Sequence, residues 1–370
     1  MHATEGLAEA ARQMTICNAC RYCEGLCAVF PALERRRDFA DGDLSYLANL
    51  CHDCGACYVD CQFAPPHEFA VNLPAALAVV RTDSYRAHAW PAALRPLFAR
   101  NGVAIALLAA LGVAGFILGF VLVHDPPALF ATDGQFYRLM PHGWMVALFG
   151  GVALYALLAL AMGCRSFWRG ICGPGRSPGW RAIGQAVRNA AALRNLDGGG
   201  GGCHVAEDGP RDRRRLFHHL TFYGFLLCFA ATCAGTVYHY LLDMPAPYPW
   251  YQLPKLLGVA GGIGLLVGPP GLFLGKLARD PALGWKARLG MDSAFLGMLF
   301  LTGLTGLLLM AFRETSAMGI LLSVHLGMVF ALFLSLPYGK FVHGLYRFAA
   351  LALDAHEGRA GAPAAAGKNG

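Results

Sequence analysis

The feature that most constrains this chain is a pair of cysteine runs with one shared spacing. Cys17, Cys20, Cys23 and Cys27 read C-x2-C-x2-C-x3-C, and Cys51, Cys54, Cys57 and Cys61 repeat it. Together they hold eight of the chain's 13 cysteines. Two such runs in tandem are the ligand pattern for two [4Fe–4S] clusters, in which the fourth cysteine of each run ligates the other cluster. The spacing therefore predicts one cluster on Cys17, Cys20, Cys23 and Cys61, and a second on Cys51, Cys54, Cys57 and Cys27. Structural zinc takes cysteines in pairs, not quadruplets, and disulfides belong to oxidising compartments. One departure from the pattern is that Ala28 and Gln62 stand where a proline usually follows the fourth cysteine, with Pro31, Pro65 and Pro66 a few residues on.

Around these runs the chain reads as all-α. Residues 1–90 predict a cytoplasmic, helical, two-cluster ferredoxin-like domain. The 23 residues between Cys27 and Cys51 fit one or two short helices, and no alternating apolar strand is present. His52, inside the second run, is expected beside a cluster, and His67 is expected in a turn. Met1–Ile16 is polar and lacks the apolar core of a signal peptide.

The remainder is a membrane protein. The 370 residues are 56% hydrophobic and 14% charged, against about 25% charged in a soluble domain. Six segments approach the roughly 20 apolar residues needed to span a bilayer: Val103–Val123, Trp144–Gly163, Leu220–Leu242, Leu256–Leu274, Phe295–Phe312 and Met318–Leu336. The expected organisation is helices one and two over 101–163, a cytoplasmic arginine-rich loop over 164–216, helices three to six over 217–350, and a disordered tail over 351–370. The net charge of +7 does not point to nucleic acid, because the arginines gather in loops beside apolar segments. The loop from Cys164 to Leu216 alone carries ten. The opposite loops carry few, so the positive-inside rule predicts a multi-pass protein of a bacterial-type inner membrane, with both termini and the cysteine domain cytoplasmic. Cys203 and His204, after the glycine run Gly198–Gly202, are expected to be loop residues.

Histidines at membrane depth are rare and usually functional. His218 and His219 open helix three and His239 closes it. His325 opens helix six and His343 follows its end. His325 and His343 are 18 residues apart, or five turns of one face and about 27 Å along a continuous helix. Helices three and six run in opposite directions, so His218 or His219 is expected to meet His343 at the cytoplasmic rim, and His239 to meet His325 at the outer rim. A straight helix favours His218 over His219. These five are candidate axial ligands for one or two b-type haems. His142 has no expected partner, and His124 is expected in solvent.

Further residues carry a family resemblance. Cys17-Asn18-Ala19-Cys20-Arg21-Tyr22-Cys23-Glu24-Gly25, Cys54-Gly55-Ala56-Cys57 and Ala64-Pro65-Pro66-His67-Glu68-Phe69 resemble the CitB / tricarballylate-utilisation protein B family. Phe217-His218-His219-Leu220-Thr221-Phe222-Tyr223-Gly224-Phe225 and Pro245-Ala246-Pro247-Tyr248-Pro249 extend the likeness over roughly residues 14–350. The resemblance implies a membrane electron carrier with two [4Fe–4S] clusters and b-type haem. It implies a FAD-dependent dehydrogenase as donor and the quinone pool as acceptor. Helix six also resembles the nitrate reductase gamma family, where a histidine pair binds haem. Tyr338 and Lys340 at the membrane rim are open both to a quinone site and to an interfacial role. Two rival readings are a subunit of a heterodisulfide or sulfite-reduction type complex, and an iron–sulfur membrane anchor without haem. No Rossmann fingerprint, Walker loop or nucleophile elbow is present, so the chain is read as an electron-transfer component and not a stand-alone catalyst.

Overall fold

The computed structural model describes residues 2–124, 126–173, 177–194, 196, 213–284 and 289–360. Among these residues the regular elements are all helices and no strand forms. The glycine run, Cys203 and His204, with the rest of 197–212, and residues 361–370 lie outside them.

Five helices build the N-terminal head: α1 (Glu5–Cys20), α2 (Val29–Glu34), α3 (Asp41–Leu50), α4 (Ala56–Val59) and α5 (Leu73–Ala87). Their ends are encoded locally. The Thr4 hydroxyl accepts the Leu7 N–H at the start of α1, and the Asn72 side-chain oxygen accepts the Ala75 N–H at the start of α5. Helix α1 stops inside the first cysteine run, where Arg21 takes a left-handed conformation and its N–H closes on the Cys17 carbonyl. Met14, Leu33, Leu44, Leu47 and Leu77 fill the core between them.

Six helices are long and apolar enough to cross a membrane: α6 (Asn101–Val123), α7 (His142–Cys172), α9 (Arg214–Leu241), α10 (Leu253–Leu277), α11 (Leu289–Ala311) and α12 (Met318–Ser335). Two more, α8 (Trp180–Ala191) and α13 (Val342–Ala360), are present among the described residues. Helix α9 packs along α10, α10 on α11, α11 on α12, and α12 on α6. Small residues let α9 and α10 approach: a Cβ on Gly261 would stand 2.7 Å from the Cys228 backbone nitrogen.

Two boundaries and one helical register differ from the sequence expectation. The second membrane helix runs on past Gly163 to Cys172 because its apolar face continues, with Phe167 and Ile171 buried. The sixth ends at Ser335, close to the expected Leu336, but the helical continuity assumed between His325 and His343 is broken. Leu336–Tyr338 form a 3-10 turn around Pro337, which cannot donate to a helical ladder, and α13 starts anew at Val342. The five-turn register between His325 and His343 therefore does not hold. Residues 351–360, expected in a disordered tail, are helical.

Head and bundle meet tightly. A Cβ on Gly42 of α3 would collide with the Gly170 carbonyl of α7. Arg35 and Arg36 pair with Asp354 at 2.6 Å and Glu357 at 2.8 Å on α13.

Candidate functional site: two cysteine pockets and a histidine pair

The head closes two pockets. Cys17, Cys20, Cys23 and Cys61 line the first with Ile16, Phe63 and Val71. Cys27, Cys51, Cys54 and Cys57 line the second with His52, Pro74 and Leu77. Each quartet takes three cysteines from one run and one from the other; Cys57 also borders the first pocket. The crossing follows from the turns. After Arg21 the chain swings Cys23 back and sends Cys27 onward into α2, and α4 returns Cys61 to the end of α1. Gly55 starts α4 at φ +87°, and a Cβ there would meet Leu283 at 2.9 Å.

The donor set fits a cluster better than a single ion. Among the described residues no three His, Cys, Asp or Glu side chains converge on one point closely enough to hold one metal ion, whereas each quartet surrounds a cavity. A [4Fe–4S] cluster asks for that arrangement, since each iron takes its own thiolate. Burial, and then the neighbouring Cys61, Cys23 and Cys20, pushes the Cys17 thiol up to about 12. Burial and the Cys51 thiolate do the same to Cys27, also up to about 12. Such thiols are protonated at neutral pH, so loading the sites must expel protons.

The second pocket lies against the membrane helices. The Cys51 carbonyl accepts from Arg81 of α5 at 2.6 Å and from Arg347 of α13 at 2.5 Å. Arg347 also donates to His52 Nδ1 at 2.6 Å. Burial, reinforced by Arg347 and Arg214, holds His52 well below its usual pKa, so it is the neutral acceptor.

His218 of α9 and His343 of α13 stand just beyond, with ring centroids 6.2 Å apart and planes at 74°. Two metal–imidazole bonds of about 2 Å each, with half a ring on either side, span such a gap. His343 Nδ1 lies 2.6 Å from the Lys340 carbonyl. A carbonyl only accepts, so the proton is on Nδ1 and Nε2 keeps its lone pair, as in a metal-ligating histidine. His218 Nδ1, like His239 Nδ1, is buried without a hydrogen bond among the described residues. These residues fit a haem.

The outer pair does not form. His239 instead stacks on His142 of α7, with centroids 3.8 Å apart and planes 16° from parallel. Rings stacked face to face leave no room for a metal between them. His325 turns to α11, where its Nδ1 lies 3.0 Å from Thr305 Oγ1. The reason is packing: α10 and α11 follow α9 in the bundle, so the outer end of α9 meets α7 and not α12. His219 sits beside Tyr223, 5.7 Å between centroids, away from His343. His124, expected in solvent, donates to the Leu139 carbonyl at 3.0 Å. His67 accepts the Phe69 N–H at 3.1 Å in a turn.

The model of the family described as citrate utilization protein B matches residues 96–364, and that of its Fer4-like domain matches residues 10–87. The chain belongs to the citrate utilization protein B family. The citrate utilization protein B of Escherichia coli is 49% identical to it over 364 residues, which cover 97% of this chain and 94% of that protein. No solved structure matches. A Fer4-like domain joined to six membrane-length helices makes this an iron–sulfur, multi-pass membrane protein and fits an electron-transfer role.

Sequence reasoning missed the His142–His239 stack and the arginines on the Cys51 loop. Arg81, Arg279 and Arg347 are unremarkable in their local sequence, and only the tertiary contacts bring them together.

Proposed function

We propose that this chain carries electrons from a soluble, FAD-dependent dehydrogenase of the tricarballylate or citrate utilisation type to membrane quinone, with two cysteine-held [4Fe–4S] clusters and one histidine-held b-type haem as the carriers between them. The observation that carries the reading is that Arg347 links the second cysteine pocket to the helix that bears His343. Arg347 holds the Cys51 loop through the Cys51 carbonyl and His52, and it lies one helical turn from His343 on α13. His218 is among the groups that bear on buried His52.

The residues have separable tasks. The thiolates of Cys17, Cys20, Cys23 and Cys61 hold one cluster, and those of Cys51, Cys54, Cys57 and Cys27 the other. The Lys340 carbonyl orients His343, and buried Phe30, which lines both pockets, keeps water from the space between them. Arg95, Arg100, Arg165, Arg169, Lys276 and Lys340 cluster at the head side of the membrane helices, while Arg138, Lys255 and Arg313 lie at the other end. That asymmetry supports a cytoplasmic head in a bacterial inner membrane. The first pocket, flanked by exposed Tyr22, is the entry for electrons from the flavoprotein.

The test is anaerobic rapid mixing of the purified holoprotein with a reduced flavin dehydrogenase of this type. Loss of cluster absorbance, growth of a reduced b-type band and reoxidation on adding quinone are expected. Reduced clusters with an unchanged haem band would overturn the reading.

A further inference from the structure

Four guanidinium groups from four parts of the chain close on three residues of the second cysteine run. Arg81 and Arg347 both donate to the Cys51 carbonyl. Arg214, from the start of α9, donates to the Asp53 carbonyl at 3.3 Å. Arg279, just past α10, donates to the same carbonyl and pairs with the Asp53 carboxylate at 3.1 Å. Arg81 is 3.7 Å from that carboxylate as well. Among the described residues, four guanidinium groups and one carboxylate gather at this loop, with His52 between them. Arg81 and Arg279 are buried, where charge acts with little screening. The Asp53 N–H also points at Cys51 Sγ, 3.3 Å away.

Among the described residues the first quartet has no such surroundings. The side chain turned to its sulfurs is the amide of Gln62, 3.7 Å from Cys20 Sγ. Exposed Arg21 turns instead to the Asn18 carbonyl at 3.2 Å.

Reduction adds one negative charge to a cluster, so neighbouring cations and N–H groups on sulfur raise its potential. We propose that Arg81, Arg214, Arg279 and Arg347 form an electrostatic clamp that makes the cluster on Cys51, Cys54, Cys57 and Cys27 the higher-potential member of the pair. The inference rests on the cluster reading above. One electron leaves the cluster on Cys17, Cys20, Cys23 and Cys61, which is oxidised, and enters the clamped cluster, which is reduced. Reduced flavin is the source. Because the clamp arginines lie on α5, α9, α13 and the α10–α11 connection, the same contacts that seat the head on the membrane helices set the direction of transfer toward the histidine pair.

The test is a potentiometric titration of the purified holoprotein, followed by electron paramagnetic resonance, with non-haem iron counted on each sample. Two cluster potentials are expected in the wild type. Arg279→Gln should lower only the higher one, cutting its reduced-to-oxidised ratio about tenfold at fixed potential, or about 59 mV for one electron. Arg279→Lys, which keeps the charge, should restore it. Arg214→Gln approaches the loop from another helix and should move the same signal, so loss of iron from one variant leaves the other to decide. A shift in the lower-potential signal, in both, or in neither, at full iron content, would overturn the clamp. Wild-type protein with fewer than about eight irons per chain would overturn the cluster reading instead, and the clamp with it.

Discussion

Cys27→Ser should disable the cluster built on the other cysteine run. Cys27 belongs in sequence to the first run, yet it lines the pocket of Cys51, Cys54 and Cys57. Serine offers a harder oxygen in place of a thiolate, a poor exchange for iron in a cluster. Non-haem iron should fall from about eight to about four per chain, and the surviving resonance should match that of Cys54→Ser. Cys61→Ser should give the complementary result and match Cys20→Ser. If Cys27→Ser instead resembled Cys20→Ser, each run would serve its own cluster, and the crossed quartets would be wrong. The double variant Cys27→Ser/Cys61→Ser should lose both clusters.

Loss of either inner histidine should empty the haem site. His218→Ala and His343→Ala would each remove one of the two nitrogens proposed to hold the haem. Outer-shell changes around metal ligands already cost 10–100-fold in affinity, so loss of a ligand should cost at least about 100-fold. Haem should be absent after purification, with the clusters retained. His239→Ala should keep its haem, because His239 stacks on His142 and has no partner across a metal. His325→Ala should do likewise, since His325 is turned to Thr305. Haem quantification across the four variants separates these positions. Loss of haem from His239→Ala with retention in His343→Ala would place the site at the opposite end of α9.

Much of this is legible in the sequence, for a physical reason in each case. The cysteine spacing is a local code: it predicts the crossed quartets that line the two pockets. Six membrane helices follow from length and apolarity. The inner pair His218 and His343 followed from depth, since opposite helix directions bring the start of one to the end of the other. The same reasoning failed for His239 and His325 because depth says nothing about lateral order in a bundle. The extension of α7 was hidden because Arg165 and Arg169 end the apolar run while the helix goes on, now burying Phe167 and Ile171 against the head. Helix α13 was hidden because Asp354 and Glu357 look like tail residues until Arg35 and Arg36 pair with them more than 300 positions away. The arginine clamp has no local signature at all: Arg279 reads as an orientation charge in its loop and becomes a partner of Asp53 only through the fold.

The most direct measurement is the absorption spectrum of the full-length protein, purified from membranes in detergent, oxidised and then reduced, with non-haem iron and haem counted on the same sample. About eight non-haem irons per chain together with one b-type haem, its reduced band lost in His343→Ala, is the expected result. Eight irons with no haem band would contradict a conductor from flavin to membrane haem and leave an iron–sulfur anchor in its place.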